Sequence, residues 1–321
     1  MSDRFNVLSQ YVLPKQALTL FAGRVASRER GRVTTGLIRW FVGKYGVNME
    51  EAANPDVLSY RSFNDFFTRA LKPGARPLAP ADLICPVDGA ISQFGAIEDD
   101  QIFQAKGHRY STTAMVGGDS ALAAQFQHGS FATLYLSPKD YHRIHMPCDG
   151  QLRRMIYVPG ALFSVNPATA RGVPGLFARN ERLVCVFDTA RGPMVMALVG
   201  ATIVGSMATV WHGVVNRSRQ GAVREWHYPV QVGGTSGELD RIGHSSEREP
   251  SAQQPVVLKQ GEEMGRFLLG STVVMLFPKG DLHFNAAWQP GRAIRFGEAM
   301  ANYPATRAQR ERDATHGLHS A

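Results

Sequence analysis

The stretch Arg266-Phe267-Leu268-Leu269-Gly270-Ser271-Thr272-Val273-Val274-Met275-Leu276-Phe277 decides how this chain folds. It is an apolar run rich in Val, Leu and Phe. Gly265 bounds it on one side, Pro278 and Gly280 on the other, so it reads as a buried strand. Gly270-Ser271 interrupts the run. A glycine inside a strand weakens it and marks a bulge or a close backbone approach. A buried hydroxyl at such a point needs a partner. On these residues alone the reading is a bulge with a satisfied serine. Gly-Ser recurs at Gly129-Ser130 and Gly205-Ser206, so the dipeptide by itself carries no chemistry.

Outward from that run, residues 80–280 alternate short β-rich segments with Gly, Pro and Asp turns. The segments are Gly89 to Ile97, Phe131 to Leu136, Gln151 to Val158, Leu183 to Phe187, Val195 to Val204, Val210 to Val215 and Pro255 to Leu258. Residues 1–75 carry helical periodicity instead. Pro14 can open a helix with Leu18, Phe21, Ala22 and Val25 on one face, and Leu37, Trp40, Phe41 and Tyr45 line a second helix. Ser62 can cap a third, with Asp65 in its first turn and Phe63, Phe66, Phe67 and Ala70 on its apolar side. Lys72-Pro73-Gly74-Ala75-Arg76-Pro77 reads as a linker. The expected fold class is α+β: a helical region over 1–75, a β-rich body over 76–304 and a polar tail over 305–321. Gly233 to Gln254 reads as a polar loop.

With 321 residues and 44% hydrophobic content the chain can bury a substantial core. A net charge of +8 calls for an anionic partner without choosing between nucleic acid, an anionic membrane and a phosphate-bearing substrate. Cys85, Cys148 and Cys185 are odd in number and lack CxxC spacing, which argues against a disulfide framework or a structural zinc site. Met1-Ser2-Asp3-Arg4-Phe5 shows no h-region, so no secretory leader is expected. The longest apolar runs are too short to span a bilayer, so any membrane association is expected to be peripheral. Arg24, Arg28, Arg30, Arg32, Arg39 and Lys44 beside the aromatic stripe have the composition of an interfacial helix. An ordinary amphipathic helix packed on the body fits that pattern equally well.

Three constellations could carry chemistry. Cys85-Pro86-Val87-Asp88-Gly89 is a turn or a rigidly held acid. Tyr141-His142-Arg143-Ile144-His145-Met146-Pro147 places two histidines three apart, which share a helix face but oppose on a strand. Gly270-Ser271-Thr272 supplies a hydroxyl. Asp, His and Ser in separate segments have the logic of a triad, yet no G-x-S-x-G elbow surrounds Ser271. A serine hydrolase without cleavage and a basic adaptor without chemistry remain open on these residues alone.

Together these motifs resemble the phosphatidylserine decarboxylase family. So do Phe63-Asn64-Asp65-Phe66-Phe67-Thr68-Arg69, Lys106-Gly107-His108-Arg109-Tyr110 and Gly160-Ala161-Leu162-Phe163-Ser164-Val165-Asn166, all in the family's order over roughly residues 60–280. The resemblance implies a proenzyme that cuts itself between Gly270 and Ser271. The products would be a β chain of 1–270 and an α chain of 271–321 whose first residue becomes a pyruvoyl group. It implies His145 as base and Asp88 as its orienter in self-cleavage, and His142 as proton donor in decarboxylation. Tyr141, Phe163, Ser164 and Asn166 would line the head-group pocket. Phosphatidylserine would bind the pyruvoyl carbonyl as a Schiff base, lose carbon dioxide and leave as phosphatidylethanolamine. No metal and no pyridoxal phosphate are expected. The partners would be phosphatidylserine and an anionic membrane surface rather than nucleic acid, at the cytoplasmic face of a bacterial inner membrane. A homodimer is compatible with the resemblance.

Overall fold

A computed structural model of the chain describes residues 15–29, 31–202, 206–216, 221–230, 254–268 and 271–304. The helix start expected at Pro14, Arg30, Gly270, residues 233–253 and the tail from residue 305 lie outside the described residues.

Two helices open the described chain, α1 (Lys15–Ser27) and α2 (Arg32–Tyr45). A short α3 (Phe63–Phe67) follows, capped by Ser62, whose Oγ accepts the Asp65 N–H at 3.1 Å. The expected stripe on α2 splits. Ile38 and Phe41 turn inward to pack with Phe63, Phe66 and Phe67, while Trp40 and Tyr45 face out and Lys44 lies over the Trp40 ring. These five aromatic and aliphatic side chains of α2 and α3 pack the two helices against each other.

The body contains eight strands that frame the site. They are β1 (Gly89–Ala96), β2 (Ser130–Leu136), β3 (Arg143–His145), β4 (Gly150–Val158), β5 (Arg182–Thr189), β6 (Gly192–Val199), β7 (Glu263–Phe267) and β8 (Ser271–Phe277). The main sheet is antiparallel and runs Arg224–His227, β4, β5, β6, β8, β2, β1, Ala293–Ile294, with Val257–Leu258 also paired to β4. A smaller sheet orders Gly213–Val214, Met207–Thr209, β7 and β3.

β8 is buried along its whole length because the sheet is covered on both faces. Val273, Met275 and Phe277 join one core cluster, while Val274 and Leu276 join the other. Strand side chains alternate between faces, so burial on both sides produces the continuous apolar run. The run is not one strand with a bulge, however. Arg266 and Phe267 end β7 in the smaller sheet, and Ser271 opens β8 in the main one. The chain therefore changes sheets between Phe267 and Ser271, and each half of the run finds its own hydrogen-bonding partners.

The segment expected as a strand from Val210 to Val215 is a hairpin instead. Thr209 Oγ1 accepts the His212 N–H at 3.1 Å, and Gly213 takes φ 72°, which turns the chain before Val214. Among the described residues no helix is long and apolar enough to cross a membrane.

Candidate functional site

Asp88 stands at the entry to β1. Gly89 follows it because a Cβ there would lie 2.3 Å from the Tyr135 carbonyl oxygen, so β1 and β2 approach closely only with glycine. The Asp88 carboxylate receives Arg76 in a two-pronged bond, Nε to Oδ1 at 3.0 Å and Nη2 to Oδ2 at 2.6 Å. Oδ1 also accepts the Phe296 backbone N–H at 2.8 Å. Arg76 binds Glu51 at 2.6 Å as well. The stretch that reads as a linker in sequence therefore delivers a nearly buried guanidinium to this carboxylate.

His145 ends β3 with its backbone N–H on Pro86 O at 2.9 Å, which brings it beside the Asp88 segment. Its Nδ1 lies 2.8 Å from Gly261 O. A carbonyl only accepts, so Nδ1 carries the proton and Nε2 presents its lone pair. That lone pair accepts the Tyr141 hydroxyl at 3.0 Å. The Phe296 ring stacks on the imidazole at 3.8 Å between centroids. Both ring nitrogens are thus engaged, neither by Asp88. In this arrangement Asp88 holds Phe296 through its backbone, and Phe296 holds the imidazole face. Burial lowers the His145 pKa, opposed by the Gly261 bond and by the charges of Glu263 and Asp88.

His142 precedes β3 and is fully buried. Its Nδ1–H donates to Asp140 O at 2.8 Å, and its ring lies 4.1 Å from that of Phe67 on α3. Its Nε2 is buried without a hydrogen-bond partner. Burial pushes its pKa down to about 3, so the ring is neutral at physiological pH.

Ser271 opens β8 opposite Leu136 and is fully buried, and its Oγ lacks a partner among the described residues. Thr272, opposite Tyr135 and Val199, has an Oγ1 in the same condition. Unpaired buried hydroxyls are costly and uncommon. Two of them fall at the first two residues of β8.

The residues expected to line a pocket divide. Ser164 and Asn166 line a cleft of about 200 Å³ with Val165, Leu136, Phe41 and Tyr45, between α2 and the end of β2. Phe163 is buried behind it, its backbone N–H on Asn180 Oδ1 at 3.1 Å. Tyr141 belongs to a second cavity with Asp88. Arg76, Gly261 and Phe296 contribute to the site and were not singled out by sequence. Gly261 acts through its carbonyl and Phe296 through its ring face, so neither leaves a signal in residue type. Arg76 is hidden by its Pro- and Gly-rich surroundings. Among the described residues no group of His, Cys, Asp or Glu side chains is arranged to hold a metal.

The fold is α+β, with His142 fully buried ahead of a strand of the smaller sheet and Ser271 fully buried at the start of a strand of the main one. The comparisons give the family. The family model described as phosphatidylserine decarboxylase matches residues 63–302, and a second, described as PSD, matches residues 5–46. The chain is 73% identical over 305 residues to the phosphatidylserine decarboxylase proenzyme of Polaromonas naphthalenivorans, covering 95% of this chain and 99% of that protein. The protein of the same name from Variovorax paradoxus is 70% identical, covering 94% and 99%, and that from Azoarcus sp. is 67% identical, covering 94% and 97%. The chain belongs to the phosphatidylserine decarboxylase family.

Proposed function

We propose that this chain is the precursor of a phosphatidylserine decarboxylase and cuts itself between Gly270 and Ser271. The observation that carries the reading is Ser271 itself. It is a fully buried serine at the first residue of a central strand, with no partner for its hydroxyl among the described residues, in a chain 73% identical to a named proenzyme. A hydroxyl kept without a partner is available as a nucleophile toward the preceding carbonyl. Once the bond is cut, β8 stays in place, since β2 and β6 pair with it on both edges. The new N-terminus is thereby pinned inside the longer chain.

The surroundings of Ser271 suit a pyruvoyl group made from that residue: Ser271 and Thr272 are fully buried, and neither hydroxyl has a partner among the described residues. When formed, the group supplies the electron sink that amino-acid decarboxylation requires. The remaining work falls to side chains. His145 is the base for Ser271, with its lone pair on Nε2. That lone pair is held by Tyr141 in the present arrangement, so the Tyr141 bond must give way before Ser271 can lose its proton. Asp88 keeps a negative charge near the imidazole, which favours the imidazolium as it forms. His142 has an unprotonated Nε2 and must take up a proton before it can give one. The ammonium of an arriving head group is a source for that proton, and the substrate Cα is where it is returned.

Residues 1–75 form the membrane-associating region and 76–304 the catalytic body. Val33, Trp40 and Tyr45 are exposed, with Arg24, Arg28, Arg32, Arg39 and Lys44 also at the surface. Basic charge around exposed aromatics suits an anionic lipid surface. This supports a peripheral enzyme on the cytoplasmic face of the inner membrane. The 200 Å³ cleft is lined by Phe41 and Tyr45 and by Leu136, the strand partner of Ser271, and gives a head group a route from that surface.

A denaturing gel with intact-mass measurement tests the reading. Active protein should give two fragments, the smaller starting with a ketone-bearing residue 271, and Ser271→Ala should give one uncut chain without activity. Carbon dioxide release from phosphatidylserine by the uncut variant would overturn it.

A further inference from the structure

A second cavity, of about 600 Å³, shares Tyr135 with the cleft described above and is lined also by Tyr141. Its acids are all engaged. Glu51 takes Arg76 at 2.6 Å and Arg295 at 3.2 Å, and Asp88 takes the same Arg76. Asp140 accepts the Ser137 N–H at 2.6 Å, and Glu298 lies 3.6 Å from Arg292. That accounts for Arg76 and Arg295 among the cations.

Two lining cations remain, Arg69 and Lys139, and neither forms an ion pair among the described residues. Lys139 is exposed at the surface. Arg69 is only 5% exposed, with its guanidinium 5.3 Å from the Phe66 ring. Among the described residues its Nη2 reaches only the Lys139 carbonyl, at 3.5 Å, and its Nε is buried without an acceptor. Burying a guanidinium with its donors idle is costly, and a planar fork of N–H groups matches an oxyanion. Arg69 also lies close enough to His142 for its charge to disfavour the imidazolium.

We propose that this cavity is an oxyanion subsite, with Arg69 inside it and Lys139 at its mouth, and that it takes the phosphodiester of the lipid head group. The second clause rests on the decarboxylase reading; the first does not. The chemistry selects phosphodiester over carboxylate. A guanidinium on the carboxylate would stabilise the ground state, whose charge moves away as carbon dioxide leaves, and would slow the reaction. On the phosphodiester its grip is the same throughout and serves binding.

The test uses the full-length protein in two arms. In the first, inorganic phosphate at millimolar concentration in a zwitterionic buffer should raise the melting temperature of the wild type and leave that of Arg69→Gln unmoved. In the second, the KM for phosphatidylserine in mixed micelles should rise about tenfold or more in Arg69→Gln, the loss of one charge-assisted contact, with a smaller change in kcat. Arg69→Lys should recover part of that loss, which a purely structural role would not predict. The melting curve without phosphate shows whether Arg69→Gln is folded; if it is not, Arg69→Lys carries the comparison. No stabilisation of the wild type by phosphate would overturn the subsite. Stabilisation with an unchanged KM would overturn the head-group assignment and leave a site for free phosphate. A wild type that releases no carbon dioxide at all would sink the decarboxylase reading while the phosphate arm still decides the subsite.

Discussion

His142 and His145 stand three residues apart and share a tautomer, yet the fold treats them differently. Each donates Nδ1–H to a backbone carbonyl at 2.8 Å, Asp140 O for the first and Gly261 O for the second. Each therefore presents Nε2 as a lone pair. On His145 that lone pair is held by Tyr141, and the ring face is covered by Phe296. On His142 it is bare and sealed from solvent beside Phe67. The difference teaches that one residue type in one short segment can serve two steps. A lone pair held by a hydroxyl suits a base that is released once, during self-cleavage. A bare, buried lone pair suits a group that must accept and return a proton at each turnover.

The largest effects should come from removing each ring. His145→Ala should leave the chain uncut on a denaturing gel, with self-cleavage slowed by roughly a hundredfold or more, the usual worth of a positioned base. His142→Ala should still give two fragments but lower kcat for carbon dioxide release by about a hundredfold or more. Failure of both variants at the same step would erase the distinction. An uncut His142→Ala with a normally cut His145→Ala would reverse it.

How much of this was legible beforehand depends on how local the cause is. The Ser62 cap and the three phenylalanines of α3 follow from neighbours within a few residues, and they stand as expected. β8 was legible because both its faces are buried, which leaves an unbroken apolar run. The change of sheet between Phe267 and Ser271 was not, because strand partners are chosen far away: β7 pairs with Met207–Thr209 and β3, while β8 pairs with β2 and β6. The same holds at the site. Asp88, His142, His145 and Ser271 were singled out through family resemblance, since spacing cannot show that separate segments meet. Arg76 looked like part of a linker, and only the fold brings its side chain to Asp88 and Glu51. The hydrogen bond from Tyr141 to His145, by contrast, joins residues four apart and still leaves no mark in composition.

Acid titration offers a smaller but cleaner contrast between the rings. The folded His142 pKa of about 3 lies below the ordinary value of 6.5, so below pH 6.5 the unfolded chain binds the proton more readily. The stability tied to a neutral His142 is therefore fully present above that pH and is lost progressively as pH falls toward 3. His145 is shifted in the same direction, but Glu263 and Asp88 oppose burial there. The melting temperature of His142→Asn should consequently fall less steeply between pH 6.5 and 4 than that of the wild type, and His145→Asn should flatten the curve less. Equal slopes for wild type and His142→Asn would mean that His142 is not held neutral by burial.

The smallest expected effect belongs to Tyr141→Phe. The Tyr141 hydroxyl donates to Nε2 of the neutral His145, so it favours the unprotonated ring. Removing that donor should raise the His145 pKa toward its ordinary value. The acid limb of the pH profile for self-cleavage should then move to higher pH, by about half a unit for a hydrogen bond of ordinary net strength. Tyr141→Phe keeps the ring and its packing, and Gly261 and Phe296 still orient the imidazole. The limb should therefore move without broadening, as read from initial rates of fragment formation across pH. A limb that moves to lower pH would mean that Nε2 carries the proton and the tautomer is the other one. A limb that does not move would mean that Tyr141 leaves the lone pair free in solution, and burial alone would then separate the two histidines.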